Sequence, residues 1–225
     1  MLNKLKQYLF DIYRKNETAL HELKYLLFWE CTVRCNLNCL HCGSDCNSDN
    51  KTVDMPFDDF LNAILPLQKV YKRDSIIIAI TGGEAILRKD LVECCKALRQ
   101  NGFRFGLLTN GYEYTNEIHN KLMNSGMSSI SVSLDGLMES HNWLRQNNQS
   151  FERAVNVIKI IVSSKDLVYD IITCVNQRNI YELEDMGEFL ISQNVKEWRF
   201  FTISPIGRAV NNKELYLMNS SVGKI

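Results

Sequence analysis

The chain has 225 residues, 45% of them hydrophobic, which is enough for one core that takes about 70% of the unfolded surface out of water. Its 26 basic residues balance 26 acidic ones, so no overall field draws it to nucleic acid or to an anionic membrane. The start, MLNKLKQYLFDIYRKNETALHELKYLLF, is broken by charge every few positions and lacks a signal-peptide core, and no run approaches a membrane span. The expected compartment is the cytoplasm, where cysteines ligate metal or react more often than they form disulfides.

Leu2, Leu5, Leu9 and Ile12 recur at helical spacing and predict an amphipathic helix in an N-terminal extension over 1–25, ahead of a core domain over 26–225. LLFWECTV then reads as a strand, and FDDFLNAILPLQKVY as a helix that Pro66 kinks. SIIIAIT is an apolar strand, followed by the helix DLVECCKALRQN, which Gly102 closes. FRFGLLT, SSISVSL, DLVYDIITCV and VKEWRFFTI continue the strands, with helices beginning near Thr115, Phe151 and Ile180. Apolar strands separated by helix-length crossovers define an α/β protein whose parallel sheet is covered by helices. Six such strands predict a partial (β/α)6 TIM-like barrel. An open doubly wound sheet is the alternative, because periodicity does not separate the two. No internal repeat, low-complexity tract or Pro/Gly-rich linker marks a second domain.

In either architecture the chemistry sits on loops at the carboxyl ends of the strands. Those loops carry the unusual residues: a cysteine cluster after the first strand, TGGE after the second, TNG and SLDG at the ends of the third and fourth, SPIGRA after the sixth. Within the cluster, Cys35, Cys39 and Cys42 are separated by three and then two residues, and Cys31 and Cys46 lie outside that spacing. Three thiolates on a short loop can each bind one iron of a four-iron cube and leave the fourth iron open to a substrate. The competing readings are incidental buried thiols and zinc, which usually takes two separated ligand pairs that this chain lacks. Cys94, Cys95 and Cys174 fall inside predicted helix or strand and read as buried, inert thiols. Hydrolase, nucleotidase and zinc-protease motifs are absent.

Together these motifs resemble the radical S-adenosyl-L-methionine (SAM) enzymes over roughly positions 26 to 209: the cysteine triple, TGGE at 81–84, SLDG at 133–136 with His141 and Arg145 beyond it, and SPIGRA at 204–209. The chain looks most like the branch that modifies peptides or builds cofactors, without the cysteine-rich domain that often follows the barrel. The resemblance implies one 4Fe-4S cluster on Cys35, Cys39 and Cys42, and SAM as the second cofactor. It also implies an electron donor such as flavodoxin or ferredoxin, and a peptide or small-molecule substrate. Gly82 and Gly83 would let backbone approach the methionine part of SAM, and Glu84 would hold its ammonium group. Proline commonly follows that glutamate in the family, and Ala85 replaces it here. Arg145 would grip the carboxylate with Ser133 beside it. Asn110 and Asp135 would meet the ribose hydroxyls, unless they are turn residues. His41 would lie near adenine, and Gly207 would let backbone approach it. With few residues left after SPIGRA, the core is expected to be shortened at its C-terminal end. The competing function is therefore a truncated or degenerate cluster-binding barrel acting as a non-catalytic partner.

Overall fold

The structure, a computed structural model, describes residues 25–217. The helix expected in the N-terminal extension lies outside the described residues; Tyr25 already begins the first strand. The elements run β1 (Tyr25–Glu30), α1 (Phe57–Ile64), β2 (Ile76–Thr81), α2 (Leu91–Gln100), β3 (Arg104–Thr109), α3 (Asn116–Asn124), β4 (Ser129–Ser133), α4 (Met138–Arg145), α5 (Ser150–Val162), β5 (Val168–Val175), α6 (Leu183–Ser192) and β6 (Trp198–Thr202).

All five strand pairings are parallel, and the order across the sheet is the order along the chain. A doubly wound sheet needs a point at which the strand order reverses, and none is present among the described residues. Among the described residues no ladder joins β1 to β6, so the six strands form an incompletely closed half-barrel flanked by helices.

The two faces of the inner strands β2 to β5 differ as the two-residue period requires, whereas β6 is largely exposed along its length. Ile76, Ile78 and Ile80 of β2, Phe105 and Leu107 of β3, and Ile130 and Val132 of β4 are essentially inaccessible and join one core with Leu91 and Leu98 of α2 and Val157, Ile158 and Ile161 of α5. Each such side chain contributes about 1.5–3 kcal/mol on burial. The alternate residues, among them Ser129, Ser131 and Ser133 of β4, are half-buried on the inner face.

Helix ends follow local chemistry. Pro66 has no N–H to continue an α-helix, so the predicted kink takes the form of a 3-10 turn over Leu65–Lys69 after α1. Beyond α2, Gly102 at φ +83° turns the chain into β3, and the Phe103 N–H returns to the Leu98 carbonyl at 3.1 Å. Thr115 caps α3 by accepting from the Ile118 N–H at 3.3 Å. The predicted start near Ile180 resolves into a short 3-10 turn, Asn179–Tyr181, ahead of α6. The sequence reading passes over α4. Its buried residues are Ser140, His141, Leu144 and Arg145, three of them polar, so MESHNWLR shows no apolar stripe. Among the described residues no helix is long and apolar enough to cross a membrane.

Candidate functional site

The loop after β1 crosses the carboxyl end of the half-barrel. Cys35 and Cys39, each 7% exposed, and the half-buried Cys42 face a cleft of about 480 Å3. Every strand contributes to its wall near its carboxyl end: Glu30, Thr81, Leu108, Ser133, Cys174 and Thr202. Of the residues singled out in the sequence, His41, Gly82, Gly83, Asn110 and Arg145 also line it, whereas Glu84 and Asp135 lie buried behind the wall.

The cysteine loop is held by its backbone on three sides, which leaves its thiols to face the cleft. From the β2 loop, the Gly83 and Glu84 N–H groups donate to the Thr32 and Arg34 carbonyls, both at 2.8 Å. A Cβ on Gly83 would stand 2.1 Å from the Arg34 oxygen, so this close seat requires glycine. From the segment after β6, Arg208 donates its backbone N–H to the Cys42 carbonyl at 2.9 Å, Nε to the Cys39 carbonyl at 2.8 Å and Nη1 to the Cys46 carbonyl at 2.9 Å. Gly207, at φ +56°, sits where a Cβ would meet the Cys42 and Gly43 carbonyls at 2.3 Å. The third tie is the Leu40 N–H to the Leu144 carbonyl of α4 at 2.9 Å. Thus the glycines of TGGE and SPIGRA serve loop packing in this structure, and Arg208 is a clamp that the sequence reading left unassigned.

A polar network stands behind the thiols. Arg145 donates Nε and Nη2 to one oxygen of Asp135, at 2.7 and 2.5 Å, and its Nη1 lies 3.6 Å from the Cys39 sulfur. The other Asp135 oxygen accepts the Cys174 N–H at 2.8 Å. Burial opposes the charge on Asp135, yet Arg145 beside it brings its pKa below the usual carboxylate value. Burial likewise opposes the charge on Arg145, and Asp135 more than restores it. The Asp135 N–H donates to His141 Nδ1 at 2.9 Å, which makes that ring neutral with its proton on Nε2. Burial, then the Arg145 charge, lowers its pKa to about 3. On the opposite side Asn110 donates Nδ2 to Asn36 at 2.9 Å and to the Cys35 sulfur at 3.7 Å. Glu84 accepts the Asn110 N–H at 2.7 Å, the Thr109 hydroxyl at 3.0 Å and the Ile86 N–H at 3.3 Å, and burial raises its pKa to about 7.

Cys174 corrects the sequence reading. Cys94 and Cys95 are fully buried in the core, as expected, but Cys174 is half-buried and lines the cleft. The signal was available: Asp170, a charge inside an apolar strand, marks the inner face of β5, and Cys174 lies four residues on, hence on the same face. His41, Asp135 and Cys174 bring ligand atoms within 4.8 Å of one another. That trio is a poor metal site, because Asp135 is engaged by Arg145 and burial pushes the Cys174 thiol up to about 12.

The cysteine triad fits an iron-sulfur cluster on the structure's own evidence. Its three thiols share one cleft, N–H donors already point at two of the sulfurs, and these are the partners that thiolate ligands require. The buried His41 Nδ1 has no partner, which suits a polar ligand in the same cleft.

The chain is thus a parallel half-barrel that carries a cysteine triad on the loop after its first strand. Residues 29–190 match the Radical SAM superfamily, and the protein belongs to that superfamily. It is 31% identical over 191 residues to an AdoMet-dependent heme synthase of Methanosarcina barkeri, across 84% of this chain and 54% of that protein. It is 26% identical over 202 residues to the Fe-coproporphyrin III synthase of the same organism, across 88% of this chain and 49% of that one. Among solved structures, Streptococcus suis SuiB bound to precursor peptide SuiA aligns with a TM-score of 0.68 at 15% identity, over 96% of this chain and 47% of SuiB, which is a likeness of fold. The chain spans about half the length of the curated relatives it matches.

Proposed function

We propose that this chain is the core of an enzyme that holds one 4Fe-4S cluster on Cys35, Cys39 and Cys42 and cleaves SAM reductively. The observation that carries the reading is the presentation of all three thiols, from one clamped loop, to a single cleft at the carboxyl end of the half-barrel. When bound, the two cofactors supply scission of a carbon–sulfur bond of SAM to methionine and a 5′-deoxyadenosyl radical that takes a hydrogen atom from the substrate.

The chain's own part is to bind, orient and exclude water. Gly82 and Gly83 put backbone at the cleft wall for the methionine part of SAM, and Ser133 with the remaining N–H groups of Arg145 faces its carboxylate. Glu84, behind that wall, offers charge to the ammonium group. Asn110, on the cleft wall, stands on the ribose side, while Asp135, buried behind the wall with both oxygens engaged, holds Arg145. His41, neutral because burial lowers its pKa to about 4, offers its ring to adenine near Gly207. A flavodoxin- or ferredoxin-like donor supplies the electron, and the cytoplasm is the compartment in which eight free cysteines persist. The substrate is a peptide or a small molecule: the SuiB–SuiA complex favours the first, the two Methanosarcina relatives the second.

Anaerobic reconstitution followed by reduction in the presence of SAM tests the reading. The expected product is 5′-deoxyadenosine. A fully cluster-loaded, reduced sample that never forms it would instead identify a cluster-binding barrel without turnover.

A further inference from the structure

Among the described residues two side chains donate to the sulfurs of the triad, and neither is free to turn away. Arg145 is fixed by Asp135 through Nε and Nη2, and Asp135 is itself fully buried and held by the Cys174 N–H. That leaves Nη1 directed at Cys39 Sγ, 3.6 Å away. Asn110 is fixed at both ends of its amide, accepting the Tyr112 N–H at 2.8 Å and donating to Asn36 at 2.9 Å, with Cys35 Sγ 3.7 Å from the same nitrogen. We propose that Arg145 and Asn110 are positioning residues that set the reduction potential of the cluster by hydrogen-bonding two of its three cysteine ligands. The inference rests on the cluster assignment made under Proposed function and goes beyond it.

Reduction adds one negative charge to the cluster, and part of that charge resides on the cysteine sulfurs. An N–H dipole aimed at a sulfur stabilises the more negative state more than the oxidised one, so it raises the potential. The effect is strong here because both donors and both sulfurs are more than nine-tenths shielded from water. Arg145 and Asp135 are together neutral, so what reaches Cys39 is the positive end of an oriented pair, and the field does not depend on a lone buried charge. The two contacts approach from different elements, α4 and the end of β3, which makes their contributions separable.

A residue that serves only to bind SAM behaves differently: its loss weakens SAM binding and leaves the SAM-free potential where it was. A residue that serves only the fold lowers stability or cluster content, again without moving the potential of the clusters that remain. The deciding measurement is therefore an EPR-monitored redox titration of the reconstituted full chain without SAM, preceded by iron and sulfide analysis. Four variants suffice: Asn110→Leu, the paired change Arg145→Gln with Asp135→Asn, which leaves no unpaired buried charge, the combination of these two, and Ser133→Ala as a cleft-lining control. The midpoint should shift to lower potential in the first two, further when they are combined, and stay at the wild-type value in Ser133→Ala. Wild-type potential in both test variants at full cluster content overturns the proposal. If the paired variant does not fold, Asn110→Leu alone decides. A wild-type protein that binds no four-iron cluster removes the cluster assignment and this inference together, and iron analysis reveals that failure before any titration.

Discussion

Cys95 and Cys39 are both buried thiols, and they show how little burial by itself says about a cysteine. Around Cys95 every influence disfavours the thiolate: burial first, then the neighbouring Cys94, Cys31 and Glu93. Around Cys39 burial again raises the pKa, but Arg145 opposes it through both its charge and its hydrogen bond. The first thiol sits between α2 and the sheet, packed in an apolar core; the second faces a cleft from a loop whose backbone is tied down on three sides. What distinguishes a ligand from a filler is the compensation prepared for its negative form.

The largest expected effect breaks this comparison outright. Cys39→Ala should lose the cluster, falling from about four iron and four sulfide per chain to background. Cys95→Ala should keep it and lose only roughly 0.5–3 kcal/mol of stability, as core substitutions do. Cys46→Ala belongs with Cys95: its sulfur turns to the Ser44 carbonyl at 3.7 Å and it does not line the cleft. Metal analysis and denaturant unfolding of the three variants check this, and a loaded Cys39→Ala would remove the assignment.

Next comes the pair that aims Arg145 at Cys39. Asp135→Ala leaves a buried guanidinium without its partner, and such a break costs about 3–5 kcal/mol. The paired neutral change, Arg145→Gln with Asp135→Asn, should recover much of that loss. Recovery in urea titrations separates a charge-pair effect from a simple packing defect.

The clamp can be tested apart from the thiols. Gly83→Ala places a methyl 2.1 Å from the Arg34 carbonyl, so the cysteine loop must move, at a cost of about 1–3 kcal/mol with weaker cluster retention. Gly187→Ala in α6, where the nearest atom is a Trp198 ring carbon at 3.5 Å, should instead stabilise by about 0.5–1 kcal/mol. Equal behaviour of the two alanines would mean that the loop is not held as described.

The same contrast explains what was legible in the sequence. All six strands could be read, because each is an apolar-rich run and the crossovers are helix-length; in β6 the apolar residues Phe200 and Phe201 nonetheless lie exposed. The cysteine triad could be read because its spacing lies on one continuous stretch. Helix α4 could not, since the residues it buries are Ser140, His141 and Arg145 beside a single leucine, and a helix stabilised by buried hydrogen bonds leaves no hydrophobic stripe. The role of Arg208 was hidden for a related reason: it bonds backbone carbonyls more than 160 residues earlier, which carry no side-chain signature. Cys174 looks inert by residue type alone; its place on the inner face of β5, shared with Asp170, is what brings it to the cleft.

Glu84 provides the subtlest test, because it is a buried acid whose negative form is compensated by donors in the same way as that of Cys39. Three hydrogen bonds reach its oxygens, two of them from backbone N–H groups, yet burial outweighs them and lifts its pKa to about 7 from an ordinary 4.5. The folded state therefore takes up a proton that the unfolded state has already released between those values. Stability from this group is full below pH 4.5 and is lost as pH rises through 7, with a slope of up to about 1.4 kcal/mol per pH unit. Glu84→Gln cannot titrate, so the stability difference between wild type and variant should fall across that window and level off above it. A cation placed against the carboxylate changes the sign of the argument, because it favours the charged form. If Glu84 meets the ammonium group of SAM, saturating the reconstituted protein with S-adenosylhomocysteine, which carries the same amino group, should flatten the slope. Urea unfolding at a series of pH values, with and without that ligand, reads both effects. A slope that persists unchanged with ligand bound would leave Glu84 as a support for the β2 and β3 loops and assign the ammonium group to another part of the cleft.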